Sequence, residues 1–319
     1  MRPPTWGCRL SVRAGYMNIC AYIHIWIGTS NFARRGTVQV DPASCREAEV
    51  RERFSNHRHR YPGLAGIGSM PIPNCPDKFD SGALTTPAER LKPQLGHLPD
   101  VPPAVVLGYQ HGLTEAVAER ATDRTDICHR SDLYWLDDAV GFVGDFGFGA
   151  PISATITEDL VACGAEAVCI LGGCGVLQRE ITPDDAILAT SAIRDEGASN
   201  HYLPADQRAT ASADLVDALD SSLAAAGVTT HRGRTWTTSA FYRETAAEVE
   251  AYADDGVLGV DMEAAAMLAV AAFRDVDAAA VHSAGDYLTV DGWNPRVGEK
   301  TPPETFLTPT LDALREYVT

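Results

Sequence analysis

Two acids stand where a lone charge is costly. Glu263 lies in GVDMEAAAML (259–268), where a strand end meets a helix that is apolar nearly all round. Asp286 follows an apolar run and a glycine in VHSAGDYL (281–288). A carboxylate at such a joint needs a hydrogen-bonding partner or a polar ligand. Glu263 also fits as a helix-start acid favoured by the dipole, and Asp286 as either a cap or an acid poised to give up a proton. Two glycine-studded segments, GDFGFGAPISAT (144–155) and GGCGVL (172–177), would let backbone approach a ligand. In the first, Pro151 opens a helix whose N-terminal amides would suit an anion, but a tight strand-to-helix turn explains it equally well. It has neither the GxGxxG spacing nor a following GK[ST]. In TWTTSAFYRET (235–245), Trp236, Phe241 and Tyr242 beside Arg243 could stack on and hydrogen-bond a flat ring, or simply pack. IRDEGASNHYLP (193–204) sets His201 and Tyr202 in a polar loop. Cys174 has no His or basic neighbour in sequence that would activate it as a nucleophile.

The elements that must position these groups alternate. Strands are expected over Ala104–Tyr109, Ala139–Gly149, Ala167–Leu171, Ala186–Ile193, Thr229–Thr238 and Ala278–Ser283, with a short strand end at Gly259–Asp261. Helices are expected over Thr114–Asp123 with Thr114 as N-cap, from Pro151 to about Gly164, over Ala211–Ala226 closed by Gly227, and over Ala246–Ala253, Glu263–Phe273 and Pro309–Tyr317. Strands alternating with helices predict a single α/β domain, a three-layer α/β/α sandwich, with chemistry in the loops beyond strand ends. No internal repeat is present. Met70–Asp100, with six prolines, reads as an irregular Pro-rich arm (70–103) leading into that domain.

Charge is divided unevenly. Of 319 residues, 26 are basic and 43 acidic, net -17. Residues 1–69 hold ten Arg, no Lys and four acids, net +6, which leaves −23 for residues 70–319. A surface this acidic repels nucleic acid and anionic membrane, so neither is expected as a partner. Many acids with few Lys fit a protein that stays hydrated in concentrated salt, and salt adaptation is the expectation. The eight Cys form no CxxC pair and no Cys/His zinc spacing, so no metal site and a reducing cytoplasm are expected. No stretch reaches the roughly 20 apolar residues of a membrane span. Residues 1–69 hold one short apolar patch, Ile19–Ile27, and no amphipathic period. They are expected to be either a poorly ordered extension or an over-long start, with Met70 as the working start in the second case.

In this order the segments resemble the nucleoside phosphorylase family, which includes bacterial-type purine nucleoside phosphorylase, uridine phosphorylase and related nucleosidases. The resemblance covers about 104–290. VDMEAAA (260–266) is similar to that family's Val-Glu-Met-Glu-Ala ribose-binding segment, and IRDEGASNHYLP and TWTTSAFYRET resemble its uridine phosphorylase-like branch. The resemblance implies a central mixed sheet, dimers or hexamers built from dimers, and breakage of a nucleoside N-glycosidic bond by phosphate without metal or cofactor. By the same resemblance, Glu263 would accept hydrogen bonds from ribose hydroxyls and Met262 would pack on the sugar. Phe241, and more weakly Arg243, would meet the base. Asp286 would protonate a purine at N7, and Gly149 and Gly173 would lie near the nucleophile.

The departures are at the phosphate end. Where the family has a Gly-Asp-Pro-x-Arg loop, this chain reads LGYQHGL (107–113). Before the second glycine turn, Ile170 takes the Arg place and Gly173 the Thr place. A partner subunit's Arg, His111 or backbone amides would have to substitute. Otherwise the nucleophile is water and the protein a nucleosidase, or it binds nucleosides without cleaving them.

Overall fold

The computed structural model describes residues 72–73, 78–110, 112–128, 131–295, 301–302 and 304–319. The extension expected over 1–69 and His111 lie outside the described residues.

Runs of apolar residues with no alternation form strands buried on both faces. Such are β1 (Ala104–Gly108) and β4 (Val140–Gly144), wholly buried and paired in parallel. Their contact is close: a Cβ on Gly108 would fall 2.1 Å from the Phe142 ring, so glycine is required there. β5 (Ala167–Val176) lies parallel to β1 on its other side and to β10 (Asp277–Thr289). β6 (Ala186–Asp195) runs antiparallel to β10 and parallel to β8 (Thr230–Thr238). β9 (Gly259–Asp261) runs parallel to β8 and antiparallel to β5. The pairings β10–β6–β8–β9–β5–β10 form a ring, so half of the mixed sheet closes on itself. The other half continues from β5 through β1 and β4 to an edge hairpin of β3 (Ser131–Trp135) and β2 (Asp123–Cys128). Two short strands, β7 (Ala209–Thr210) on β6 and β11 (Gly292–Asn294) on β10, complete it.

Helices cover the sheet as the α/β/α reading requires. α3 (Ala150–Ala162) packs with α6 (Ala264–Arg274), and α4 (Ala213–Ala225) with α7 (Glu304–Val318). α6 buries every residue from Ala264 to Ala271. Small side chains there let it lie close to the strands and to α3. α2 (Leu113–Ala118) and α5 (Ala246–Asp254) are short, and α5 opens on a Thr245–Glu248 capping box. No helix among the described residues is long and apolar enough to cross a membrane.

Four local expectations are corrected. The arm is not wholly irregular, because α1 (Pro87–Leu95) forms within it. Thr86 and Glu89 make a reciprocal capping box, Pro87 sits in the first turn, and Leu91 is fully buried. Gly112, at positive φ, takes the N-cap position of α2, and Thr114 is a buried residue inside the helix. That helix ends at Ala118, and Asp123 begins β2. α7 starts at Glu304, with Pro309 in its second turn and not at its start. β5 and β10 do not stop at Leu171 and Ser283 but run on through the glycines to Val176 and Thr289.

Candidate active site

A cavity of about 490 Å³ opens where β5, β9 and β10 meet beyond the end of β1. Its floor is the run Gly173, Cys174 and Gly175 of β5, with Ser283 and Ala284 of β10 alongside. Ser283 pairs with Gly173, and Asp286 with Gly175 across a bulge after Ala284. At about 3.3 Å per residue, the two ends of this floor lie roughly 7 Å apart, about the span of a ribose ring with its substituents.

Glu263 forms one wall. It stands in the N-cap position of α6 and is buried. Its Oε1 accepts a 2.7 Å hydrogen bond from the Gly149 amide, and its Oε2 accepts one of 3.2 Å from the Met262 amide. Gly149 reaches it because its φ of +99° turns the chain sharply into α3, a conformation open to glycine and strained for other residues. Glu263 does not itself cap α6. Asp261 Oδ1 accepts from the Glu263 and Ala264 amides, each at 2.9 Å, and Thr237 Oγ1 accepts from the Ala265 amide at 2.9 Å. With those amides satisfied by its neighbours, the Glu263 carboxyl faces the cavity. Burial, and secondarily the charge of Asp261, pushes it up to about 7.

Tyr109, at the end of β1, backs this wall. Its hydroxyl donates to Ser153 Oγ at 2.7 Å, and Ser153 Oγ donates to the Gly149 carbonyl at 2.9 Å. Burial first, then Glu263, holds the phenol well above its ordinary range.

At the far end, Asp286 lies over Gly175, where a Cβ would stand 3.7 Å from Asp286 Oδ2. The same oxygen accepts a hydrogen bond from Trp293 Nε1. Glu244 joins it on the cavity wall and is pushed up to about 7 by burial, then by the charges of Asp286 and Glu248. At the near end, Gln110 Nε2 donates to Ser283 Oγ beside Gly173, and Gln110 Oε1 is buried without a partner. Met262 and Phe241 line the cavity, and Phe241 and Phe148 stay partly exposed at its rim. No Lys or Arg is among the described residues lining it.

Of the residues singled out in the sequence, Met262, Glu263, Phe241, Gly173 and Asp286 line one cavity. Gly149 lies behind it and enters through Glu263. Arg243 is exposed and stands outside it. His201 and Tyr202 lie along a different groove, and Arg194 ties their loop down through the carbonyls of Leu203 and Pro204 at 2.7 and 2.6 Å. Sequence reasoning missed Gln110, Ser283 and Glu244.

The sequence profile of the phosphorylase superfamily matches residues 136–301, just over half of the chain and nearly all of this cavity wall. The chain belongs to the phosphorylase superfamily. A guanosine phosphorylase of Halorubrum lacusprofundi is 31% identical over 146 residues, 46% of this chain and 58% of that protein. The uridine phosphorylase of Escherichia coli is 28% identical over 170 residues, 48% of this chain and 67% of that one. The aligned part thus spans little more than half of the first relative's length. Among solved structures, the purine nucleoside phosphorylase of Toxoplasma gondii in complex with immucillin-H superposes with a TM-score of 0.61 at 21% identity. That match covers 69% of this chain and 93% of that one and establishes the shared superfamily fold, a mixed sheet between helices.

Proposed function

We propose that this phosphorylase-superfamily member cleaves the N-glycosidic bond of a purine nucleoside or uridine, with phosphate as the nucleophile, releasing free base and (deoxy)ribose 1-phosphate. The observation that carries the proposal is Glu263. It is a buried carboxyl fixed by the Gly149 and Met262 amides on the wall of the cavity that Gln110, Ser283 and Asp286 also line.

Departure of the base leaves an oxocarbenium-like sugar. Glu263 accepts hydrogen bonds from the ribose hydroxyls and strengthens them as positive charge builds on the ring, while Met262 packs against the sugar. Asp286 at the far end hands a proton to N7 of a purine and neutralises the leaving anion, and Phe241 covers the base. The nucleophile enters at the Gln110–Ser283 end, on the far face of the sugar. Each of these contacts is worth most in the transition state, which makes it catalytic and not merely binding. Asp286 and the guanosine phosphorylase relative support a purine, and the uridine phosphorylase relative supports a pyrimidine. Assembly as a homo-oligomer, dimer or hexamer, and a cytoplasmic location belong to the same proposal.

A second reading, hydrolysis by water, is favoured by one observation. The described cavity lining holds four carboxyls, Glu244, Asp261, Glu263 and Asp286, and no cation to receive a phosphate dianion. One assay separates the two. Inosine, guanosine, adenosine and uridine are incubated with and without phosphate, and free base and ribose 1-phosphate are measured. Phosphorolysis requires base release that depends on phosphate and yields ribose 1-phosphate, whereas release indifferent to phosphate makes the protein a nucleosidase.

A further inference from the structure

One buried pair has no part in the steps above. His282 precedes Ser283 on β10, and its imidazole is 1% exposed. Its Nε2 lies 3.7 Å from Asp261 Oδ2, on a carboxylate that is itself fully buried. Neither ring nitrogen of His282 has a hydrogen-bond partner, and neither does Asp261 Oδ2. The other oxygen of Asp261 is heavily used: it accepts from the Glu263 and Ala264 amides and, at 2.8 Å, from the Thr237 hydroxyl.

A buried carboxylate with one bare oxygen and a buried imidazole with two bare nitrogens are each costly. They face one another, and an approach of about 0.8 Å would give an ordinary hydrogen bond and relieve both. The groups facing Asp261 are Glu263 on its own turn, Thr237 of β8, His282 of β10 and, through its phenol at the end of β1, Tyr109. Of these, His282 alone can bring an N–H to Oδ2 from the buried side. Burial holds the imidazole below its ordinary pKa against the pull of Asp261, so near neutrality it donates as a neutral ring.

We propose that His282 is a positioning residue, donating Nε2–H to Asp261 so that this carboxylate stays oriented at the start of α6 and keeps Glu263 set for the sugar. The catalytic consequence rests on the reading of Glu263 as the ribose-binding acid; the bond itself does not. Removing the donor leaves the Asp261 charge less offset, which pushes the neighbouring Glu263 carboxyl further above its ordinary range, and the ionised Glu263 is the form that accepts the ribose hydroxyls.

The test has two arms. In the first, the pH dependence of kcat/KM for a cleaved nucleoside is compared among wild type, His282→Leu and His282→Gln, each checked for a native melting transition. The acid limb of His282→Leu should move up by about one pH unit, with about a tenfold loss at pH 6, and His282→Gln, which keeps an N–H donor, should recover most of it. A His282→Leu profile that superimposes on wild type, or a Gln variant no better than Leu, overturns the proposal. In the second arm, the full chain with ¹⁵N-labelled imidazoles is studied by NMR, with His282 assigned by its loss in His282→Gln. The Nε2–H tautomer is expected, with its Nε2 signal displaced in Asp261→Asn; an Nδ1–H tautomer, or no response to Asp261→Asn, overturns the proposal without any enzymatic readout. A wild type that cleaves no nucleoside overturns the functional reading of the site, and the NMR arm still decides for or against the bond.

Discussion

The Gly149 amide donates a 2.7 Å hydrogen bond to Glu263 Oε1 across 114 residues of sequence. It joins the turn into α3 to the start of α6 and fixes the carboxyl that the proposed chemistry depends on. Glu263→Gln keeps the size of the side chain but loses the charge. It should cut kcat/KM for any cleaved nucleoside by about 10²-fold, the scale of one or two hydrogen bonds to a charged group, while circular dichroism stays native. Activity within a few fold of wild type would remove Glu263 from the site.

The same residue makes a prediction about stability. A carboxyl raised from 4.5 to about 7 binds its proton more tightly in the folded chain than in the unfolded one. Between those two values the folded state holds more protons, so this group's contribution to stability falls as pH rises from about 4.5 through 7. For a group this buried, the full effect is on the order of 3 kcal/mol. Glu244 adds a smaller effect of the same sign, because it is only half-buried. Melting temperatures should show Glu263→Gln gaining on wild type as pH rises from 5 to 8. A constant difference across that range would contradict the raised value.

Asp286 is the acid at the base end, over Gly175 and bonded to Trp293. A purine leaves as an anion that takes a proton at N7, whereas uracil offers no equivalent nitrogen there. Asp286→Asn should therefore slow purine nucleoside cleavage by about 10²–10⁴-fold and uridine cleavage much less. Equal losses on both would assign Asp286 to holding the strand and not to proton transfer.

How much of this was legible follows from where the signals lie. Glu263 and Asp286 are conspicuous because each is an acid against a local apolar background. Gln110 and Ser283 are ordinary polar residues in sequence and gain meaning only when β1 and β10 come together on either side of Gly173. Glu244 sits in a segment that looks aromatic and basic, and only the fold brings it, just after the Phe241–Arg243 turn, onto the cavity wall. The alternating elements were readable from apolar runs, but the β2–β3 hairpin was not, because DRTDIC and SDLYW show no clean two-residue period. Counting prolines hid α1, although Thr86–Glu89 is a capping box in plain sequence. The ring closure of the sheet depends on β10 pairing with both β5 and β6, a tertiary choice that no local pattern encodes.

The acidic surface makes a further prediction. Residues 70–319 sum to −23 by formal charge, and self-repulsion on this scale opposes the compact state unless salt screens it. The melting temperature should rise steeply from low salt to molar potassium chloride. A flat response would remove salt adaptation and leave an acidic protein of the ordinary kind.

The nucleophile end gives the last prediction. Gln110 Nε2 is committed to Ser283, and its Oε1 is a buried acceptor without a donor. An acceptor repels a phosphate dianion but suits a water molecule, so Gln110 must turn its amide toward phosphate or hold water as it stands. Gln110→Ala distinguishes these. Under phosphorolysis it removes a donor to an anion, and the KM for phosphate should rise by roughly 10-fold or more while the KM for nucleoside changes little. Under hydrolysis it unseats the water, and kcat falls by a factor that does not depend on phosphate concentration. Ser283→Ala should reproduce whichever pattern Gln110→Ala shows, because the two side chains form one hydrogen-bonded unit. Opposite patterns in the two variants would mean that they do not serve the same nucleophile.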